Sequence, residues 1–293
     1  MSTPDPDIEI TTDLAHRLLE DQHPDLTDRT LSVAGEGWDN VMIRLGDDLA
    51  MRLPRRALAN ELISNEQRWL QLIQLTSPIP LPVPVRVGSA TSYYPYVWSV
   101  VPWFPGSRAT TGPFAPSQIA PFAAFLRALH VHAPGNAPRN TFRNQPLTAY
   151  GAAVERRLSM VEATGIDLGV HVTTIRNMWR ELEATAIDRE PTWIHGDLHP
   201  NNMVTDNGVL VSVVDWGDMT AGDASTDLGS VWSLFEPSRH DDFWTAYGPV
   251  THATRNRAKA WAIHFALLWI VDASDVDSTF GTMGRDTLAR VVS

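Results

Sequence analysis

The chain of 293 residues is 43% hydrophobic and 19% charged, an ordinary globular composition, long enough for one large core or two modest ones. It has no cysteine, which excludes disulfides, thiolate metal sites and cysteine nucleophiles and leaves the cytoplasm as the expected compartment. A formal charge of −11 argues against a nucleic-acid partner, whose binding needs clustered Lys and Arg; it suits a cationic ligand, and equally well does no more than keep the chain in solution.

The acidic stretch Met1 to Glu9 lacks the basic and apolar regions of a secretory signal. Leu14, Leu18 and Leu19 recur at helical spacing after Thr11 and Thr12, predicting a helix over 13–21. Strands are predicted at 31–34, 41–45 and 49–53, the last two joined by a turn at Gly46-Asp47-Asp48. Leu62, Trp69, Leu70 and Ile73 fit a helix over 58–75, after which Pro78, Pro80, Pro82 and Pro84 impose extended chain. A further strand is predicted at 97–101.

From Ser117 the pattern turns helical, with Ile119, Phe122, Leu126 and Leu129 in one helix and Val172, Ile175, Trp179, Leu182 and Ala186 in another. The Asn- and Pro-rich stretch 134–146 reads as a loop. Residues 260–271 are apolar but interrupted by His264 and shorter than the ~20 residues of a membrane span, so no membrane partner is expected. The expected domains are 1–104 and 105–293, divided near Phe104-Pro105-Gly106, where strands give way to helices.

The segment richest in chemistry is His195-Gly196-Asp197-Leu198-His199-Pro200-Asn201-Asn202, followed by a β-branched run, Asp206-Asn207-Gly208, a second β-branched run and Asp215-Trp216-Gly217-Asp218. Asn207-Gly208 predicts a tight hairpin, which should fold Asp215 back beside the loop holding Asp197 and Asn202. Phosphoryl transfer requires a carboxylate to orient and deprotonate the accepting hydroxyl and oxygen ligands for magnesium on the nucleotide. Asp197 is the candidate base, Asn202 and Asp215 the candidate magnesium ligands, and His195 a brace for the loop. Taken alone, Asp197 reads equally well as a loop cap. His195 and His199 could also bind a metal with Asp197, although one His-x-Asp-x-His makes a poor zinc site.

With these residues in place, the chain resembles the aminoglycoside phosphotransferases and related antibiotic kinases, distant relatives of protein kinases. His-Gly-Asp followed by four residues and Asn202 resembles that family's catalytic loop, and Val213-Val214-Asp215-Trp216-Gly217-Asp218 its metal-binding strand end. The resemblance implies an α+β, bilobal protein-kinase-like fold, with a small β-rich N-lobe carrying one main helix and a larger, mostly helical C-lobe. Asp218, Asp223 and Asp227 then read as structural, with Asp227 tying the metal-binding segment to the helix after it.

On strand 49–53, Ala50 and Arg52 must share a face. That matches the small residue over adenine and the cation against the phosphates of a kinase's Val-Ala-Ile-Lys strand, with arginine in place of lysine. By the spacing of the family, Glu66 is the acidic partner of Arg52, with Glu61 second. Gly37, in Gly35-Glu36-Gly37-Trp38-Asp39-Asn40, lies where a phosphate-covering loop belongs, although Glu36 and Asp39 would repel a triphosphate unless they point away. Val101, Pro102 and Phe104 resemble the adenine-binding hinge, with the Pro102 carbonyl accepting, Phe104 N–H donating and Trp103 turned outward.

The cofactors implied are ATP, with GTP not excluded, and Mg2+. The implied substrate is a cationic antibiotic, an aminoglycoside or a basic cyclic peptide of the capreomycin and viomycin kind, whose phosphorylation would confer resistance. Glu236, Asp272, Asp275 and Trp269 are candidate substrate contacts beside Asp197, with Asp241, Asp242, Asp277, Trp232 and Trp244 nearby. A macrolide, or a metabolite such as choline or homoserine, is the alternative acceptor. A nucleotide-binding module without turnover is the reading from another class, and a monomer or weak dimer is expected.

Overall fold

Thr11 caps the first helix, α1 (Thr12–Gln22), by accepting the Leu14 N–H at 3.2 Å, and Ala15, Leu18 and Leu19 form its buried face. The computed structural model describes residues 5–272 and 278–293. After α1 come β1 (Leu31–Glu36), β2 (Asn40–Leu45), β3 (Leu49–Pro54), α2 (Ala57–Gln74), β4 (Arg86–Gly88) and β5 (Trp98–Pro102). The strands form one antiparallel sheet in the order β1-β2-β3-β5-β4.

Alternation along β3 sets its two faces. Met51 and Leu53 enter a core built from Leu18, Leu19, Ile43, Trp98 and Val100, while Ala50 and Arg52 belong to the opposite face. β1 runs two residues beyond the expected 31–34 because a register shift between Val33 and Gly35 lets it keep pairing with β2. β4 is too short for alternation to signal, and it follows the expected proline-rich extended segment.

Contacts divide the described residues into two units. One runs through Pro105 and also takes in Val211–Gly217; the other comprises Gly106–Leu210 and the described residues from Asp218 onward. The second opens with β6 (Ser107–Arg108) and α3 (Ile119–Leu129), then α4 (Gly151–Thr164), α5 (Val172–Leu182), β7 (Thr192–Ile194) and β8 (Met203–Asp206). β9 (Val209–Val213) leads out of this unit. β10 (Thr220–Gly222), α6 (Ser225–Leu228), α7 (Ser230–Leu234), α8 (His240–Tyr247), α9 (His252–Asp272) and α10 (Thr279–Val292) complete it.

α9 is its centre. Trp261, Ile263, Phe265, Ala266 and Ile270 are all buried, so the second half of the helix is covered on every side, and α4, α5, α6 and α10 pack around α9. Among the described residues no helix is long and apolar enough to cross a membrane. α5 ends at Leu182, short of the expected Ala186.

Candidate active site

In the C-terminal unit the chemistry hangs from one buried carboxylate. Asp227, fully buried on α6, accepts the N–H groups of His195 at 2.7 Å and Gly196 at 2.9 Å. It also lies 3.2 Å from His130 Nε2, while the Tyr247 hydroxyl lies 2.8 Å from His130 Nδ1. Asp227 therefore suspends the 195–197 loop, whereas the family resemblance implies a tie between the metal-binding segment and the helix after it. Gly196 makes the bend: its φ is +86°, and a Cβ there would lie 2.6 Å from the Asp218 carbonyl oxygen.

The loop presents Asp197. Its N–H is accepted by His195 Nδ1 at 3.3 Å, so His195, fully buried, fixes the backbone of the candidate base. His199 accepts the Asn201 N–H at Nδ1 (3.2 Å), which places its proton on Nε2, 3.4 Å from Asp197 Oδ2. With both ring nitrogens engaged, His199 is a poor metal ligand, and no cluster of three His, Cys, Asp or Glu among the described residues is placed to hold one. Asn202 donates its amide to the Asp197 carbonyl at 2.9 Å, turning its amide oxygen the other way.

Sequence reasoning missed Arg143. It lies in the stretch read only as a loop, yet its Nη2 is 2.7 Å from Asp218 Oδ2 and 3.5 Å from Asp197 Oδ1. Asn140 adds a bond to Asp218 at 2.7 Å. Burial pushes the Asp197 carboxyl up, but His199, Arg143 and His195 together outweigh it and hold the group well below the usual carboxylate range. An arginine in a polar loop carries no periodicity, so only its distance from Asp197 reveals it.

Asp215 belongs to the other unit, on the segment that returns to it. The turn before it has the expected form, with Asn207 at φ +50° and Gly208 at φ +78°, the two positive values of a type I′ hairpin. Asp215 itself has φ +64°, a conformation few non-glycine residues adopt. Its Oδ1 is 2.7 Å from Arg52 Nη2, and the same nitrogen is 2.9 Å from Glu66 Oε1. Burial raises the Glu66 carboxyl to about 7 against the pull of Arg52. The structure thus brings Arg52, Glu66 and Asp215 together in one unit, and His195, Asp197 and Asn202 in the other.

At the segment read as a hinge, Pro102 pairs with Leu49 and Val101 with the buried Ala50. Trp103 N–H donates to Asp48 at 2.8 Å, leaving Phe104 as the next donor along the chain. Trp103 is not turned outward: it is partly buried and carries the Arg44 guanidinium 4.5 Å from its ring centroid. Gly37 closes the β1–β2 turn with its N–H on the Asn40 carbonyl at 2.8 Å.

Of the expected substrate contacts, Trp269 is buried, stacked on Phe265 and edge-on to His199, so it is core rather than a platform. Trp232 and Trp244 are buried as well. Glu236 is held by Arg290 at 2.7 Å. The Asp272 side chain, Asp275 and Asp277 lie outside the described residues. A cavity of about 440 Å³ in this unit is bordered by Pro200, Thr110, Thr279, Thr282, Asp286 and Arg290.

Residues 30–261 match the family model described as the phosphotransferase enzyme family. An aminoglycoside 3′-phosphotransferase of Escherichia coli is 27% identical over 132 residues, 43% of this chain and 47% of that protein, so the chain aligns with about half the length of this curated relative. Among solved structures, the GDP and kanamycin complex of a 2″-type aminoglycoside phosphotransferase superposes with a TM-score of 0.69 at 15% identity, over 95% of this chain and 98% of that one. A macrolide 2′-phosphotransferase from Brachybacterium faecium does so with a TM-score of 0.60 at 17% identity, over 94% and 97%. At these identities the likeness establishes the kinase-like fold.

Proposed function

The chain belongs to the phosphotransferase enzyme family, and we propose that it is an antibiotic kinase, moving the terminal phosphoryl group of a purine nucleoside triphosphate to a hydroxyl of a cationic antibiotic, foremost an aminoglycoside. The observation that carries this reading is Asp197: an ionised carboxylate at the tip of a loop hung from Asp227, clamped by Arg143 and His199. A nucleotide-binding module without turnover has no use for such a group.

Asp197 would accept the hydrogen bond of the substrate hydroxyl and so aim its oxygen. A carboxylate held this acidic is a weak base, which suits a loose transition state in which the hydroxyl proton leaves late. Arg52 would hold the nucleotide phosphates, with Glu66 fixing the guanidinium; Ala50 and Val101 would border the adenine, and the Pro102 carbonyl and Phe104 N–H would bond its edge. The Asp215 carboxylate, about half exposed at 54%, and the amide oxygen of Asn202 are hard oxygen donors of the kind magnesium takes. When bound, magnesium would neutralise charge on the phosphates.

The acidic chain favours a polyamine acceptor. The oxygens of Asp286, Thr110, Thr279 and Thr282 on the cavity wall suit an amine-rich sugar better than Glu236, already paired with Arg290. Incubation with ATP or GTP, magnesium and a panel of aminoglycosides, capreomycin-type peptides and macrolides, read by product mass, tests the proposal. We expect one added phosphoryl group on an aminoglycoside. Transfer to macrolides alone would move the acceptor class, and no transfer to any antibiotic would refute the reading.

A further inference from the structure

Resting on the nucleotide-site reading above, we propose that Arg55 and Arg56 are positioning residues that draw the two acids of the Gly35–Asn40 loop away from the phosphates and hold the loop in a form that admits a triphosphate. The difficulty was visible in the sequence, since a loop carrying Glu36 and Asp39 opposes a polyanion. The structure supplies two counter-charges at the corner between β3 and α2. Arg55 Nη1 donates to Glu36 Oε2 at 3.3 Å and to the Gly37 carbonyl at 3.4 Å. Arg56 Nη1 donates to Asp39 Oδ1 at 3.1 Å, and the Arg55 N–H reaches the Asp39 carbonyl at 2.9 Å.

The corner is itself anchored. Asp7 donates its N–H to the Arg55 carbonyl at 2.8 Å, and its carboxylate accepts from Ala57 N–H at 2.7 Å and from the Tyr96 hydroxyl at 3.0 Å. Arg55 is 6% exposed and its Nε is buried with no hydrogen-bond partner. A cation buried with part of its donor set unused is costly for stability alone, and the side-chain bonds that Arg55 makes through Nη1 both go to the loop.

Calorimetric titration of the full chain with Mg-ATP tests this. Two unit charges roughly 10 Å apart at a protein surface change affinity about tenfold, so R55A/R56A should raise the dissociation constant by about that factor, with kcat at saturating nucleotide little altered. E36Q/D39N, which leaves both arginines without their acids, should bind Mg-ATP more tightly than wild type. The quadruple variant should regain most of the affinity lost by R55A/R56A. Unchanged affinity in R55A/R56A, weaker binding in E36Q/D39N, or no recovery in the quadruple variant would overturn the proposal. Wild-type protein that binds no Mg-ATP would overturn the nucleotide-site reading as well.

Discussion

Replacing Asp227 by Asn should cost far more than the loss of one surface charge. Its two oxygens accept the His195 and Gly196 N–H groups and face His130, and Asp227 and His195 are fully buried. An amide keeps one acceptor and turns an NH2 toward a donor, so one buried backbone N–H loses its partner. Hydrogen bonds to a charged acceptor contribute about 1.5–3 kcal/mol, and an orphaned buried donor costs about 1–3 kcal/mol. We expect about 2–4 kcal/mol for D227N and about 3–6 kcal/mol for D227A, a large share of the 5–15 kcal/mol typical of a whole protein. Urea unfolding followed by tryptophan fluorescence measures the loss. Transfer rates should fall with it, since the same bonds aim Asp197. A D227N protein within about 0.5 kcal/mol of wild type, the range of an ordinary surface change, and with unaltered kcat would refute the argument.

R143A removes the guanidinium that helps hold Asp197 low, so the acid limb of its kcat–pH profile should move to higher pH, while an unmoved limb would show that the partners left to Asp197 suffice. Glu66, raised by burial from 4.5 to about 7, keeps its proton in the folded chain where the unfolded chain has lost it. Its contribution to stability should therefore decline as pH rises from 4.5 to about 7 and stay level above, and E66Q should abolish that slope in unfolding experiments. G88A should destabilise by at least about 1–3 kcal/mol, because the added Cβ would fall 1.8 Å from the fully buried Trp98 ring; an unchanged melting temperature would contradict it.

What could be read from the chain followed from local rules. Period-2 alternation placed β2 and β3 within a residue of their ends, the Asn-Gly pair marked the type I′ turn, and the 49–53 alternation set Ala50 and Arg52 on one face. Glu66 came from the spacing of the family, and it meets Arg52. The failures share a cause. Arg143, the true partners of Asp227 and the anchoring of Trp103 by Arg44 are long-range or side-chain contacts in segments without periodicity, and β4, β7 and β10 span three residues each. Trp269 belongs to the apolar surround of α9, and nothing in its spacing distinguishes a buried ring from an open one.

The most direct test of the account is to measure phosphoryl transfer and nucleotide affinity together in Asp197→Ala. A group that only orients and deprotonates the acceptor should take with it about 10²–10⁴ of the rate, while Mg-nucleotide binding, assigned to Arg52, Glu66 and Asp215, stays at the wild-type value. Transfer undiminished in that variant would contradict the role given to Asp197.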